Sequence, residues 1–157
     1  MKAIPDIAIS IRQPWTWAVI HAAKDIENRG WRRPNPGLNF RGEVAIHAAQ
    51  GMTQAEFVAA AAFVQAIGVS CPPAAELLRG GIIGVATVTD VVSSHPSPWW
   101  MGPRGLVLAD ARPVEFIPCR GALGFFKWQR DDEAIAPKPA RWMMPKPVAP
   151  VLQEAFL

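Results

Sequence analysis

The sequence predicts an α+β domain built on a small mixed β-barrel of five to six strands with flanking α-helices. Half of the 157 residues are hydrophobic, which is enough for one buried core in a chain of this length. Most apolar runs are short, and glycine and proline separate them, as in strands joined by turns. Five or six such runs with few helical segments favour a small barrel.

The N-terminal half is predicted to contain two strands and one helix. Ala8–Ile11 forms a short strand, and a helix follows from about Pro14 to Ala23, because proline suits the first helical turn. Residues 31–40 contain two prolines and form a loop. Arg41–Ala48 is the next strand, with Val44 and Ile46 on one face.

The central part of the chain opens with a helix. Thr53 and Glu56 have the spacing of a capping box, so a helix should follow to about Ile67 and end at Gly68. We predict a short helix at 73–78, a β-branched strand at 81–92 and a loop at 93–104. Two strands at 105–109 and 113–117, joined by a turn at 110–112, and a last strand at 124–126 complete the prediction.

The composition changes after Trp128. Five prolines lie in the last part of the chain, so we divide it into a domain at 1–128 and a proline-rich C-terminal tail at 129–157. Trp142, Met143 and Met144 indicate that the tail packs on the domain at least in part. A tail of this kind could also bind a protein partner.

Charge and cysteine content limit the function classes. Lysine and arginine total 16 against 13 acidic residues, so the net charge of +3 permits a nucleic-acid partner without requiring one. Cys71 and Cys119 form no CxxC pair, which indicates free thiols and no metal site. The longest apolar run, Phe57–Val64, is too short to cross a membrane. We expect a cytoplasmic protein without cofactor, metal or membrane partner.

Two segments carry the strongest candidates for binding. Arg12 adjoins a predicted helix N-terminus, where it could clamp a phosphate while Trp15 or Trp17 stacks a base. Alternatively, the tryptophans anchor the helix and Arg12 pairs with a local acid. The segment 24–29 is either a solvated charged turn or a continued helix. On such a helix Trp17, His21, Lys24 and Asn28 would share one face.

Two further segments are less specific. His47 ends an apolar strand, where histidine is either a general base, a stacking partner or a hydrogen-bonded core residue. Trp99 lies in a loop with Trp100 and Arg104, which could form a base-stacking lid or cover the end of the barrel.

Together these segments resemble the ASCH domain family, a branch of the PUA-like superfamily. The similarity covers roughly Ile7 to Trp128. It rests on the ordered segments 10–15, 24–29, 41–48, 84–90, 102–108 and 118–121. The family pattern GxKxxExR is matched by Lys24, Glu27 and Arg29, with Ala22 in place of the leading glycine. The resemblance implies a PUA-like barrel with a basic cleft that binds RNA or a modified nucleoside.

The resemblance also implies a possible enzyme. Bacterial N4-acetylcytidine amidohydrolases of this family share the lysine and arginine but have threonine at the position of Glu27. Because this chain has a carboxylate there, attack by a hydroxyl from this position is impossible. Other members of the family are associated with ribonuclease activity. Lys24 and Glu27 would be the acid–base groups of a hydrolase, with His47 a weaker candidate.

Binding of RNA or a nucleoside-like ligand is the leading hypothesis, and hydrolysis of a modified nucleoside or RNA is the alternative. The predicted binding residues combine cationic groups, a carboxylate, an amide and aromatic rings. They are Arg12, Trp15, Trp17, Lys24, Glu27, Asn28, Arg29, Arg41 and Trp99.

Overall fold

The structure is a computed structural model that describes residues 2–134 and 136–145. In these residues the chain forms six strands and two α-helices, with three short 3₁₀ turns. They are β1 (Ile7–Ile11), α1 (Trp15–His21), β2 (Ile26–Arg29), β3 (Gly42–Ala48), α2 (Gln54–Ala66), β4 (Gly81–Val92), β5 (Arg104–Pro118) and β6 (Phe125–Lys127), with 3₁₀ turns at Pro36–Asn39, Ala74–Glu76 and Arg141–Met143.

The strands form one six-stranded mixed sheet in the order β2-β5-β4-β3-β1-β6. β1 and β3 run parallel, and the other neighbouring pairs are antiparallel. The sheet curls into a half-barrel, with two helices in the described part of the chain. The prediction of a small α+β fold with a barrel-like mixed sheet is therefore confirmed.

The core lies where α1 crosses the sheet. The last five residues of β3 are all buried, so this central strand is covered on both faces. Ile20 of α1 packs directly over Gly84 of β4, and a Cβ at Gly84 would overlap the Ile20 side chain. The missing side chain thus lets the helix approach the sheet closely.

The segment after α1 differs from both sequence-based interpretations. The helix ends at His21, and Ala23 adopts a left-handed conformation with φ of 55°, which turns the chain back. Residues 26–29 then form β2, which pairs antiparallel with the start of β5 from Ile26↔Val107 to Arg29↔Arg104. The predictions of a helix continuing to Asn28 and of a solvated turn are both wrong, because strand pairing buries these polar residues.

β5 is also longer than predicted. The sequence analysis expected two strands joined by a turn at 110–112, and this is wrong because one strand runs through the whole region. Asp110 has a φ of 53°, and between Val85 and Thr87 of β4 the partner strand advances from Arg112 to Ala109. One extra residue is thus accommodated in a β-bulge, and turn-type residues occupy it.

The second helix begins where the capping pattern predicts. The Thr53 side chain accepts a hydrogen bond from the Glu56 amide at 3.1 Å, and Gly68 follows the helix with a φ of 86°. The Glu56 carboxylate is used by Arg12, as described below. No helix in residues 2–134 or 136–145 combines the length and the hydropathy needed to cross a bilayer.

The described part of the tail contacts the domain. Met143 is buried with Met52, Ala74 and Leu77, and the Trp142 ring lies 5.9 Å from that of Phe57. Residues 135 and 146–157 of the predicted tail lie outside the described residues.

Candidate functional site

A buried ionic cluster lies on β2 and the turn before it. Glu27 and Arg29 are two residues apart on a strand, so their side chains project from the same face. Glu27 Oε1 lies 3.3 Å from Lys24 Nζ, and Oε2 lies 2.9 Å from Arg29 Nη2. Both carboxylate oxygens are therefore engaged by cations.

Burial removes the charges of this cluster from water, so they depend on one another for stabilisation. Lys24 is 3% exposed and Glu27 is 7% exposed. Burial lowers the pKa of Lys24, while the nearby Glu27 carboxylate opposes that shift. Lys24 also donates to the carbonyl of Ile26, and Arg29 donates to the carbonyl of Ser10 at 2.9 Å. Arg29 Nε is buried and has no hydrogen-bond partner, so the cluster retains one unsatisfied donor.

Two tryptophans flank the cluster. Lys24 Nζ lies 5.7 Å from the ring centre of Trp15, and the Arg29 guanidinium carbon lies 5.3 Å from that of Trp31. Both distances are within the range of cation–π attraction. The rings and the cations share one cavity of about 440 Å³, which we call the central cleft. It is lined by Ser10, Ile11, Arg12, Trp15, Lys24, Glu27, Asn28, Arg29, Gly30, Trp31 and Met101.

Arg12 lines the cleft but already has a carboxylate partner. Its Nε and Nη2 donate to the two oxygens of Glu56 at 2.5 and 2.7 Å. This bidentate pair raises the pKa of Arg12 and lowers that of Glu56. Pairing with a local acid was one of the two interpretations of Arg12. An arginine has five N–H donors, so the pair leaves others for a ligand.

Asn28 has a structural role at the cleft wall. Its side-chain amide donates to the carbonyl of Trp99 at 3.0 Å, and its oxygen accepts from the amides of Met101 and Gly102. The side-chain amide of Asn28, one of the predicted binding residues, is thus used to hold the loop after β4. This loop places Met101 at the cleft rim.

Three predicted contact residues lie outside the central cleft. Trp99 is 4% exposed and packs in the core near Phe63, because Asn28 holds its loop against the sheet. Trp17 projects to another side of α1 and packs against both apolar clusters beside α2. Arg41 precedes β3 and pairs with Asp90 of β4 at 3.4 Å, and both side chains are exposed.

His47 is a hydrogen-bonded core residue at the edge of a second cavity. Its Nδ1 lies 2.9 Å from Ser10 Oγ, and its Nε2 lies 3.0 Å from the Cys119 carbonyl. A carbonyl only accepts, so Nε2 carries the proton and Nδ1 accepts from the serine hydroxyl. Burial lowers the pKa of His47, which favours this neutral form.

Ser10, Trp31 and Met101 line the cleft but were not among the predicted binding residues. Trp31 follows Glu27 and Arg29 at the same two-residue spacing, and this alternation is the signal that could have identified it. Ser10 is the parallel-strand partner of His47, and Met101 reaches the cleft through the Asn28 contacts. Neither relation is readable from local sequence.

Comparison with protein families and with curated protein sequences found no match. No protein-family model matches the chain, and no curated protein sequence matches it. The similarity to ASCH domains therefore stays a prediction, and the function has to be inferred from the chemistry of the site.

Proposed function

We propose that this chain is an ASCH-type, PUA-like module that binds RNA or a nucleoside-like ligand in the central cleft. The observation that carries the proposal is the pair of half-buried indole rings, Trp15 and Trp31, each beside a cation in one cavity. Planar bases bind through stacking on aromatic rings and arginine planes, assisted by cations near phosphate and ribose.

Size and charge are consistent with such a ligand. A cavity of about 440 Å³ lies within the range of small-molecule sites. Arg12, Lys24 and Arg29 bring three positive charges to its wall, whereas Glu27 and the Arg12 partner Glu56 bring two negative charges. The small cationic excess suits a ligand bound mainly through its base and ribose, with phosphate contacts in addition.

Binding is better supported than hydrolysis by Lys24 and Glu27. A general base needs a carboxylate oxygen within reach of water or substrate. Both oxygens of Glu27 face cations, and the Lys24 ammonium donates to a backbone carbonyl as well as to Glu27. We therefore assign this cluster the task of forming the cleft floor and positioning Arg29.

Calorimetric titration with cytidine, N4-acetylcytidine, adenosine and short single-stranded RNAs tests the proposal. We expect binding that Trp31→Leu weakens by at least about fivefold, because stacking of one base on an aromatic ring contributes about 1–3 kcal/mol. Trp142→Leu is the matched control, since this half-buried tryptophan packs against Phe57 away from the cleft. Absence of binding to all of these ligands would contradict the proposal.

The same samples test the alternative. Chromatography after incubation with N4-acetylcytidine and RNA would detect turnover. Turnover that disappears in both Lys24→Ala and Glu27→Ala, in protein that remains folded by circular dichroism, would replace binding with hydrolysis as the function.

A further inference from the structure

The central cleft has lining residues in common with two other cavities. The first, the His47 cavity, has a volume of about 640 Å³ and shares Ser10 and Arg12 with the cleft. The second, the Phe40 cavity, has a volume of about 680 Å³ and shares Arg29 and Trp31 with it. Each of the two outer cavities therefore has one arginine in common with the central cleft.

The His47 cavity offers polar groups rather than an apolar surface. Its polar lining residues are the hydrogen-bonded pair Ser10 and His47, together with Arg12, Gln50, Arg120 and Glu133. The Arg120 side chain is largely exposed, and Asp131 pairs with its Nε at 3.0 Å, which leaves other donors available.

Gly121 packs closely against the Ser10–His47 pair. A Cβ at Gly121 would lie 2.8 Å from Cε1 of His47 and 3.1 Å from Oγ of Ser10. His47 is 1% exposed and both of its ring nitrogens are hydrogen-bonded, so the groups that this wall offers to a ligand are the serine hydroxyl and the guanidiniums. Hydroxyl and guanidinium groups suit the ribose and phosphate of a nucleotide.

The Phe40 cavity offers an aromatic surface. The Phe40 and Phe125 rings stack with centres 4.1 Å apart, and the Trp31 ring lies 5.7 Å from that of Phe125. Asn35 and Asn39 add amide groups to the same lining. Leu123 lines it with 98% of its surface exposed, so its side chain is accessible for apolar contact with a ligand.

We propose that the three cavities together bind a single-stranded oligonucleotide of at least three nucleotides. This inference rests on the proposed function, because the central cleft holds one base. The next base lies in the Phe40 cavity, and the backbone on the other side crosses Arg12 into the His47 cavity. Unpaired strands fit this arrangement, because aromatic stacking requires bases whose faces are not already covered by a partner strand.

Binding measured against ligand length tests this inference. The ligands are a nucleoside and the corresponding unlabelled di-, tri- and hexanucleotides of adenosine, cytidine and uridine, titrated by calorimetry. We expect the dinucleotide to bind at least about fivefold more tightly than the nucleoside, as one additional stacked base does. The trinucleotide should bind more tightly again through its added phosphate contacts. Parallel titrations with the DNA trinucleotides compare DNA with RNA, and titrations with a self-complementary RNA duplex compare paired with unpaired strands.

Two exposed residues allow each outer cavity to be tested without disturbing the core. Arg120→Gln should weaken the trinucleotide and reduce the slope of log affinity against log salt by about 0.7, the value for one phosphate contact on a single strand. Leu123→Glu should weaken the trinucleotide as well. Both variants should leave nucleoside affinity unchanged. Arg130→Glu is the matched control, because Arg130 is exposed and lines a different cavity with Lys2 and Arg112.

The outcomes separate this inference from the function on which it rests. Nucleoside binding with no gain on lengthening, or with no effect of Arg120→Gln and Leu123→Glu on the trinucleotide, would overturn the extended site and leave the proposed function in place. Duplex binding as tight as trinucleotide binding would overturn the single-strand assignment. If nucleosides and oligonucleotides all fail to bind, both proposals are wrong.

Discussion

Glu27 is the residue whose neutralisation should be most damaging to stability. Its carboxylate is the shared partner of Lys24 at 3.3 Å and Arg29 at 2.9 Å, and all three side chains are largely or fully buried. Glu27→Gln keeps the size of the side chain and removes the negative charge. The Lys24 ammonium would then be buried without a counter-ion.

The expected loss follows from this geometry. Removing one partner of a buried ion pair typically costs about 3–5 kcal/mol, because the remaining charge is uncompensated. Such a loss is a large part of the total stability of a domain. For a chain of this size it corresponds to a fall in Tm of about 6–20 °C. Glu56→Gln is the matched control, since its pair with Arg12 is exposed and should contribute about 1 kcal/mol or less.

The pH dependence gives the loss a specific signature. Burial holds the pKa of Lys24 below its unfolded value of 10.5, and removing Glu27 removes an interaction that raises it. Between the folded pKa and 10.5 the unfolded chain binds more protons than the folded chain, so the stability of Glu27→Gln should rise with pH in that window. In Lys24→Met/Glu27→Gln the buried charge is gone, so part of the lost stability should return.

Urea unfolding followed by tryptophan fluorescence at pH 7 and pH 9.5 measures these quantities. A loss below about 1 kcal/mol for Glu27→Gln, or strictly additive single and double variants, would refute the reasoning. Either result would mean that water solvates Lys24 in place of the carboxylate.

Two further predictions concern the sheet. Burial lowers the pKa of His47, so below the unfolded pKa of 6.5 protons bind mainly to the unfolded chain. The stability should therefore fall as the pH drops through that value, by at most about 1.4 kcal/mol per pH unit. His47→Asn should lose this pH dependence in urea titrations at pH 5 and 7.5. Gly84→Ala should destabilise by about 1–3 kcal/mol, because the added Cβ overlaps Ile20 and lies 2.7 Å from the Arg112 carbonyl. Gly30→Ala is the matched control, because a Cβ there meets no atom within 4 Å and the backbone is not left-handed. A thermal melt in which Gly84→Ala equals wild type would contradict the close-approach argument.

Elements defined by local chemistry were predictable. β4 has the bounds expected from its β-branched run, and α2 begins after Thr53 and ends before Gly68 as their capping roles require. β2 was not predictable from local pattern, because its charged residues resemble a solvated segment until β5 pairs with them. The bulge at Asp110 likewise imitates a turn, since both use the same residue types.

The site was predictable where its residues are close in sequence. Lys24, Glu27 and Arg29 were identified together and lie together, with Arg12 and Trp15 on the same cleft. The long-range contacts were not accessible. The sequence does not reveal that Asn28 reaches across to the loop of Trp99 and Met101, so it assigned the tryptophan to the cleft and overlooked the methionine.

The three hydrogen bonds of Asn28 have a consequence for the thermodynamics of recognition. They join the wall of the cleft to a loop whose Trp99 is held in the hydrophobic core. A wall fixed in this way has little conformational entropy left to lose when a ligand arrives. Under the proposed binding function, more of the interaction energy would then appear as affinity, because the pocket would not first have to be assembled.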